Sequence, residues 1–277
     1  MNSTTDIAAD KIAVLGAGNI GEALIAGLIS AGVEPLRITA TNRSPERGAE
    51  LAERYGVVTT DDNNEAAVDA DVCFLCVKPA QVLGVIEEIG DTVAKNEVST
   101  ALVSMAAGVT ISAMESAASS AGTSVARVMP NTPMLVGRGV HIAAFGRYVE
   151  EDQHNAIRAM LAATGQVVEL DESLIDVATA LSGSGPAYYF LLTEALIDAG
   201  VALGLPRETA SQLATATAAG AGEMLAGEKS AAELRHAVSS PAGTTAAAIR
   251  ELEESGLRGA LYRATDACAC RARELGK

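Results

Sequence analysis

Between residues 11 and 21 the chain reads Lys11-Ile12-Ala13-Val14-Leu15-Gly16-Ala17-Gly18-Asn19-Ile20-Gly21, a short apolar run that leads into three regularly spaced glycines. The apolar residues are typical of a buried strand, and residues 22–30 beyond the glycines are typical of a helix. In a dinucleotide-binding loop the three glycines allow the tight turn, the close approach of a pyrophosphate, and the contact between helix and strand. A chance glycine-rich turn is the alternative, but a second strand predicted at residues 37–40 completes a βαβ unit and favours the binding loop.

The alternation of short apolar runs and helical segments continues to residue 144. We predict strands at residues 57–58, 71–77, 99–104, 124–128 and 139–144, and helices at residues 45–55, 64–68 and 81–89. This order is typical of a parallel sheet covered by helices on both faces, and ligands of such a sheet bind beyond the carboxyl ends of the strands. The predicted fold class is therefore α/β, with a Rossmann-type doubly wound sheet whose last strands are 124–128 and 139–144.

Two loops that follow predicted strands are expected to line the cofactor cleft. They contain Val77-Lys78-Pro79 and Ala106-Ala107-Gly108. A third loop, Met129-Pro130-Asn131-Thr132-Pro133, is made rigid by its two prolines. Its asparagine either faces the cleft or completes a purely structural turn, and both interpretations stay open.

The end of the second predicted strand indicates which nicotinamide cofactor is preferred. An NAD-preferring site carries an acid there, which accepts from the ribose hydroxyls, whereas this chain has Asn42-Arg43-Ser44. Arg43 offers a planar, permanently charged fork for a 2′-phosphate, and Asn42 and Ser44 can donate beside it. NADPH is therefore the predicted cofactor and NADH the second candidate, while a solvated loop arginine is the structural alternative.

Beyond residue 170 the composition becomes alanine-rich, with helical spacing of the apolar residues. We predict a boundary there, with a dinucleotide-binding domain at residues 1–170 and a helical domain at residues 171–277. The predicted helix 187–200 carries Tyr188-Tyr189-Phe190-Leu191 in succession and is apolar nearly all round. Because the remaining helices are too few to cover it, this helix should be buried against a second subunit, in a homodimer at least.

The charge of the chain limits its partners. The 277 residues include 35 acidic and 20 basic side chains, which gives a formal net charge of −15. An acidic surface repels nucleic acid and anionic membranes, so neither is an expected partner. Such a surface also suits solubility at high salt, which is a hypothesis about the source of the protein.

The cysteines and the first residues predict a cytoplasmic protein without a metal site. Four cysteines, at positions 73, 76, 268 and 270, are too few for a secreted disulfide scaffold of this length. The members of each close pair point apart, the first pair on a strand and the second on a helix, so no metal is expected. Residues 1–10 lack the basic start and apolar core of a signal peptide, and no window is apolar enough to span a membrane.

A late run of small polar residues predicts an anion-binding site. It reads Val238-Ser239-Ser240-Pro241-Ala242-Gly243-Thr244-Thr245 and precedes a helical segment at residues 246–254. With Pro241 predicted at the first helical position, the run presents free backbone N–H groups and hydroxyls at a helix start. Such a terminus suits a carboxylate or a phosphate, although an ordinary capped helix is the simpler interpretation.

These motifs together resemble those of pyrroline-5-carboxylate reductases over nearly the whole chain, from residue 12 to about residue 275. The matching segments are residues 16–21, 77–79 and 129–133, the run Leu181-Ser182-Gly183-Ser184-Gly185-Pro186-Ala187-Tyr188, and residues 239–245. The last two are specific to the family. The resemblance implies reduction of L-1-pyrroline-5-carboxylate to L-proline with NAD(P)H, the last step of proline biosynthesis. It also implies a helical dimerisation domain and an assembly that is often a ring of dimers.

The resemblance further implies roles for individual residues. The imine-facing threonine of the family falls on Thr245, and its carboxylate-binding loop falls on Ser240, Gly243 and Thr244. Thr245 need only orient the ring nitrogen, because an iminium requires no strong general acid. The residues expected at the cofactor are Gly16, Gly18, Asn19, Ile20, Gly21, Asn42, Arg43, Ser44, Asn63, Val77, Lys78, Pro79, Ala107 and Glu228. For Glu228 a solvated surface residue is the favoured alternative, and Ala242 departs from the glycine that is common in the family.

Two other functions are open. A dehydrogenase of the β-hydroxyacid type also joins a dinucleotide domain to a helical one, but it uses a lysine acid/base, and residues 181–200 contain no lysine. A non-catalytic NADP-binding regulator would use its helical half as an interaction surface and would not require the run at residues 239–245.

Overall fold

The computed structural model describes Ile7 and residues 10–118 and 120–275. Most of residues 1–10, on which the signal-peptide prediction rests, lie outside this described part. The strands are β1 Ile12–Leu15, β2 Ile38–Thr41, β3 Val58–Thr60, β4 Val72–Leu75, β5 Ala101–Ser104, β6 Ser124–Met129, β7 Gly139–Phe145 and β8 Gly165–Glu169. The helices are α1 Asn19–Ser30, α2 Pro45–Tyr55, α3 Asn63–Ala67, α4 Val82–Val93, α5 Ile111–Ala117, α6 Glu151–Ala162, α7 Ile175–Leu181, α8 Gly185–Ala202, α9 Arg207–Leu225, α10 Ala231–Ala237, α11 Thr244–Glu254 and α12 Leu257–Leu275.

Within the described residues the strands form one sheet in the order β3-β2-β1-β4-β5-β6-β7-β8. The first six positions follow the order of a doubly wound dinucleotide-binding sheet. Strands β2 and β3 are added on one side of β1, and β4 and the later strands are added on its other side. Because β1 and β4 are parallel, the loops that leave them open on the same edge of the sheet. The predicted α/β class and Rossmann-type sheet are confirmed.

The sheet has an apolar layer on each face, because side chains alternate along a strand. On β1, Ile12 and Val14 pack into one layer, and Ala13 and Leu15 pack into the other. On β4, Cys73 belongs to the second layer, and Cys76 just beyond the strand packs against the first. The two cysteines therefore point to opposite faces, as their spacing predicts.

Two features of the sheet differ from the sequence prediction. β7 runs antiparallel to β6, because the connection at residues 130–138 is too short for the helical crossover that a parallel pair needs. The sheet also does not end at β7, since β8 adds to it in parallel after α6. β8 escaped the sequence analysis because its five residues, Gly165 to Glu169, contain only two valines and are partly exposed.

The chain divides into two compact units, residues 1–183 with 269–277, and residues Ser184–Cys268. The first unit continues past residue 170 because a buried arginine holds α7. Arg127 on β6 donates to Asp176 across 2.9 Å and lies 3.4 Å from Glu172, while only 5% of its side chain is exposed. The boundary between the compact units therefore lies at residue 183, later in the chain than the predicted functional boundary at residue 170.

The second unit consists of helices. α8 and α9 lie close together, since a Cβ at Gly200 would stand 3.2 Å from the Cβ of Ala210. Three consecutive large apolar side chains near the start of α8 are open: Tyr189, Phe190 and Leu191 are 64–67% exposed. Such a continuous apolar surface is typical of a protein–protein interface.

Of the helices in the described part of the chain, none combines the length and apolar character needed to cross a membrane.

Candidate active site

The glycine loop between β1 and α1 has the geometry that a dinucleotide requires. Gly16 has φ +86°, and a Cβ there would lie 3.1 Å from the backbone nitrogen of Val77. A Cβ on Gly18 would meet no described heavy atom within 4 Å, which leaves room beside the loop. A Cβ on Gly21 would lie 3.0 Å from Val14 Cγ1, so this glycine allows α1 to pack on β1. The three glycines therefore serve the turn, the ligand approach and the packing contact.

The loop opens onto the first turn of α1. Gly18 occupies the cap position, so no cap side chain accepts from the amides of Asn19, Ile20 and Gly21. The first helical hydrogen bond runs from Glu22 N to Gly18 O at 2.8 Å. Free amides and the positive end of the helix dipole make such a terminus suitable for a pyrophosphate.

The loop is held by a threonine that the sequence analysis did not select. Thr41 Oγ1, at the end of β2, accepts from Gly16 N at 3.0 Å and donates to Asn63 Oδ1 at 2.8 Å. The carbonyl oxygen of Thr41 accepts from Ala17 N at 2.8 Å. Asn63 Nδ2 in turn donates to Glu88 Oε2 at 3.1 Å. Asn63 thus acts on the loop through Thr41, and a threonine at the strand end is the sequence signal for this contact.

The segment Asn42-Arg43-Ser44 follows directly from β2. Asn42 Nδ2 donates to Ala17 O at 3.1 Å, and its Oδ1 accepts from Ser44 N at 3.0 Å. Arg43 is exposed, and its guanidinium faces the side-chain amide of Gln81, whose oxygen accepts from it. Asn42 therefore fixes the loop with both of its polar atoms, while Arg43 presents the positive charge of this segment.

The loops after β4 and β5 lie at the same edge of the sheet as the glycine loop. Val77 contacts Gly16, and Lys78 and Pro79 beyond it are exposed. Ala107, after β5, is half-buried. Asn131 is different: it is buried, accepts from Val140 N at 2.8 Å and donates to Ser182 O at 2.9 Å. Of the two interpretations of Asn131, its satisfied hydrogen bonds favour the structural turn.

The start of α11 is built by a tight turn in the second unit. Gly243 N donates to Ser240 O at 3.0 Å, which closes a four-residue turn around Pro241 and Ala242. Ala242 has φ +59°, so the turn is of type II, with proline at its second position and alanine where glycine is favoured. The helix begins only at Thr244. The prediction that Pro241 occupies the first helical position is therefore wrong, because the proline belongs to the turn.

This turn uses the amide of Gly243 but leaves the amides of Thr244, Thr245 and Ala246 without an acceptor among the described residues. Gly243 occupies the cap position of α11, and a Cβ there would lie 3.0 Å from Ser240 O and even closer to Ser240 Oγ. The first helical bond runs from Ala247 N to Gly243 O at 3.1 Å, so the three preceding amides have no helical acceptor. Thr245 is half-buried and Thr244 is exposed. Glu228, by contrast, lies in the exposed loop between α9 and α10.

The remaining titratable candidates are structural. Burial raises the pKa of Cys73 and of Cys76 to about 12. Burial also lowers the pKa of His141 to about 4, so this histidine is neutral at physiological pH. The described residues include no group of three or more His, Cys, Asp or Glu side chains that could hold a metal ion.

A Rossmann-type sheet with a fitting glycine loop, joined to a helical unit, defines a nicotinamide-dependent oxidoreductase. Residues 11–108 match the family model described as NADP oxidoreductase, coenzyme F420-dependent, and residues 172–275 match the model of the pyrroline-5-carboxylate reductase dimerisation domain. The chain belongs to the pyrroline-5-carboxylate reductase family.

Individual relatives support this membership along the whole chain. The pyrroline-5-carboxylate reductase of Corynebacterium melassecola is 57% identical over 96% of this chain and 98% of the relative. The solved structure of the Coxiella burnetii reductase has a TM-score of 0.91 at 40% identity, covering 97% of this chain and 99% of that chain. The crystal structure of the Plasmodium falciparum reductase with NADP bound has a TM-score of 0.83 at 28% identity, covering 98% of this chain and 99% of that chain.

Proposed function

We propose that this chain reduces L-1-pyrroline-5-carboxylate to L-proline by hydride transfer from NADPH. Family membership makes the enzyme an oxidoreductase that acts on a small-molecule substrate with a nicotinamide cofactor. The observation that carries the substrate assignment is the start of α11. After the type II turn, three amides and two threonine hydroxyls have no acceptor or donor among the described residues. The β-hydroxyacid dehydrogenase and the non-catalytic regulator have no comparable support.

In this proposal the substrate carboxylate binds the turn and the first amides of α11. Ser240 supplies a hydroxyl and Thr244 supplies a backbone N–H group, while the N–H of Gly243 closes the turn that shapes the site. The positive end of the helix dipole favours the negative charge. Gly243 is essential to the shape, because any side chain there would collide with Ser240. A carboxylate held at this position restricts the orientation of the ring to which it is attached.

Thr245 is the proposed catalytic residue. It stands on the second position of α11, one residue beyond Thr244, and its hydroxyl can accept from or donate to the ring nitrogen. The pyrroline nitrogen is basic enough to be present as an iminium, so the enzyme needs to orient it rather than protonate it. This role requires no histidine, and His141 is buried in the sheet.

We propose that residues 1–170 bind the cofactor and that residues 171–277 bind the substrate and form the dimer. The proposed cofactor residues of the first range lie in the first unit. When bound, the reduced nicotinamide supplies the hydride. The free amides of Asn19, Ile20 and Gly21 would hold the pyrophosphate, and Val77, Lys78, Pro79 and Ala107 would border the cofactor at the same sheet edge. Arg43 would pair with a 2′-phosphate, which supports a preference for NADPH. Asn63 would support the loop, and Glu228 is the weakest member of the proposed set.

The chain forms an oligomer through its helical unit, as the dimerisation model at residues 172–275 indicates. The finer proposal is a dimer that covers Tyr189, Phe190 and Leu191 of α8, assembled further into a ring of dimers. We place the enzyme in the cytoplasm, because its four cysteines are unpaired.

A single assay tests the reaction. The purified chain should consume NADPH only when L-1-pyrroline-5-carboxylate is present, and L-proline should appear in equal amount. Pyrroline-2-carboxylate, which carries its acid on another ring carbon, is the matched control and should react far more slowly. A protein that binds NADP⁺ yet leaves pyrroline-5-carboxylate unreacted would refute the proposed substrate while keeping the cofactor site.

A further inference from the structure

A carboxylate lies beside the segment to which the 2′-phosphate of NADPH is assigned. Ser44 caps α2, and its Oγ donates to Glu46 Oε2 at 2.5 Å. This hydrogen bond holds the pKa of Glu46 below its usual value, so the carboxylate is charged at neutral pH. The helix start also favours a negative charge. Glu46 therefore occupies the kind of position that a bound phosphate would take.

The donors expected to bind a 2′-phosphate are already engaged. The Asn42 amide donates to Ala17 O at 3.1 Å, and the Ser44 hydroxyl donates to Glu46. Arg43 remains, with its guanidinium against the Gln81 amide. A phosphate that binds Arg43 and the Ser44 hydroxyl together must displace Glu46 from that hydroxyl, and it must also approach a group of its own charge.

We infer that Glu46 is a specificity-determining residue that reduces the preference of this enzyme for NADPH over NADH. The inference rests on the cofactor position proposed above. A phosphate near Glu46 meets like-charge repulsion and loses a donor to competition, whereas the ribose hydroxyl of NADH meets neither cost. The ribose hydroxyl can also donate to the carboxylate. Arg43 and Glu46 thus act in opposite directions on cofactor choice.

The test is the affinity of the full-length protein for NADP⁺ and NAD⁺, measured by isothermal titration calorimetry. Glu46→Gln keeps the shape of the side chain and removes its charge. We expect this variant to bind NADP⁺ about three- to tenfold more tightly than the parent protein, in the range of a single like-charge contact at an exposed site. Its affinity for NAD⁺ should stay unchanged or fall.

Glu53→Gln is the matched control, because Glu53 is an exposed acid on the same helix. It lies seven residues further on, about 10 Å along the helix axis, and the substitution changes the net charge equally. If both variants strengthen NADP⁺ binding by the same factor, the effect is one of overall charge and the inference is overturned. If Glu46→Gln leaves the ratio of the two affinities unchanged, the inference is likewise overturned.

Raising the salt concentration gives a second readout. The difference in NADP⁺ affinity between Glu46→Gln and the parent protein should shrink as salt screens the repulsion between Glu46 and the phosphate. If Glu46→Gln binds both nucleotides with unchanged selectivity, the role of Glu46 is refuted but the proposed cofactor site is not. A protein that binds neither nucleotide would refute the proposed cofactor site, and the inference with it.

Discussion

Thr41 Oγ1 lies 3.0 Å from the backbone nitrogen of Gly16 and accepts its hydrogen bond. This contact ties the end of β2 to the first residue of the glycine loop. Thr41→Val keeps the size of the side chain and removes the acceptor of Gly16 N, so the loop should be held less firmly, by the backbone bond from Ala17 N to Thr41 O. We expect NADP⁺ affinity to fall by about tenfold, the effect of one lost buried hydrogen bond. Thr41→Ser keeps the oxygen and should bind NADP⁺ nearly as well in the same titration.

The hydroxyl of Thr245 is predicted to act in the transition state. Thr245→Ala should lower kcat by about ten- to a hundredfold or more, in the range of one lost transition-state hydrogen bond. Thr245→Ser should retain most of the activity. Thr265→Ala is the control, because the Thr265 hydroxyl donates to the carbonyl oxygens of Leu261 and Tyr262, each at 3.0 Å, within α12. Full activity of Thr245→Ala in steady-state assays would remove this residue from the mechanism.

Arg43 is predicted to favour NADPH over NADH. Arg43→Ala should weaken NADPH binding by about tenfold, while the KM for NADH stays nearly unchanged. Arg37→Ala removes the same charge from the opposite end of β2 and should change neither value. Equal losses with both cofactors in Arg43→Ala would contradict pairing with the 2′-phosphate.

Ala242 is predicted to strain the turn before α11, because its φ of +59° lies in the region that favours glycine. Ala242→Gly relieves the steric cost of about 1–2 kcal/mol but adds freedom to the unfolded chain, so the net gain in unfolding free energy should be about 0.5 kcal/mol. Ala248→Gly, inside α11, should instead cost about 1 kcal/mol. Denaturant unfolding of both variants would reveal the opposite signs, and a clear loss in Ala242→Gly would refute the strain.

His141 should make the folded state sensitive to acid. Its Nε2 lies 2.8 Å from Thr164 Oγ1, which itself donates to Leu161 O, so Nε2 carries the proton and Nδ1 has no partner among the described residues. The folded-state pKa is about 4 against an ordinary 6.5. The unfolded chain therefore binds the proton first, and stability that is present above pH 6.5 is lost as the pH falls toward 4.

The size of that loss is up to about 3 kcal/mol, from a pKa difference of roughly 2.5 units at about 1.4 kcal/mol each. His141→Gln should lower the stability at neutral pH and flatten its dependence on pH between 4 and 6.5. His236→Gln replaces an exposed histidine of α10 and should keep the parental slope. An unchanged slope in His141→Gln would show that other groups cause the acid sensitivity.

Most of the first unit could be predicted from the sequence because its local signals agree. The apolar strand, the spaced glycines and the following helix of residues 11–30 each require the same fold, and the structure places them as expected. The same holds for α2, whose predicted bounds of 45–55 are those observed. β8 was missed because a short, partly exposed edge strand carries little apolar signal.

The positions of individual site residues were harder to predict. From the sequence, Pro241 is compatible with the first position of a helix and with the second position of a type II turn. The hydrogen bond from Gly243 N to Ser240 O shows that it belongs to the turn. Asn131 has the same ambiguity, which its contacts with Val140 and Ser182 settle. Thr41 gains its importance from contacts with Gly16 and Asn63, which lie 25 and 22 residues away along the chain, so the position of a threonine at the strand end is the only local signal for it.

The exposed apolar side chains of α8, with Tyr189 and Phe190 more than 60% exposed, would link the lifetime of this enzyme to its abundance if a second subunit covers them. If folding and subunit association are coupled through that surface, the melting temperature rises with total protein and falls on dilution. A cell that synthesises little of the chain would then hold a larger fraction in a form that proteases and chaperones recognise. Expression level would set the resistance of each molecule to degradation as well as the number of molecules.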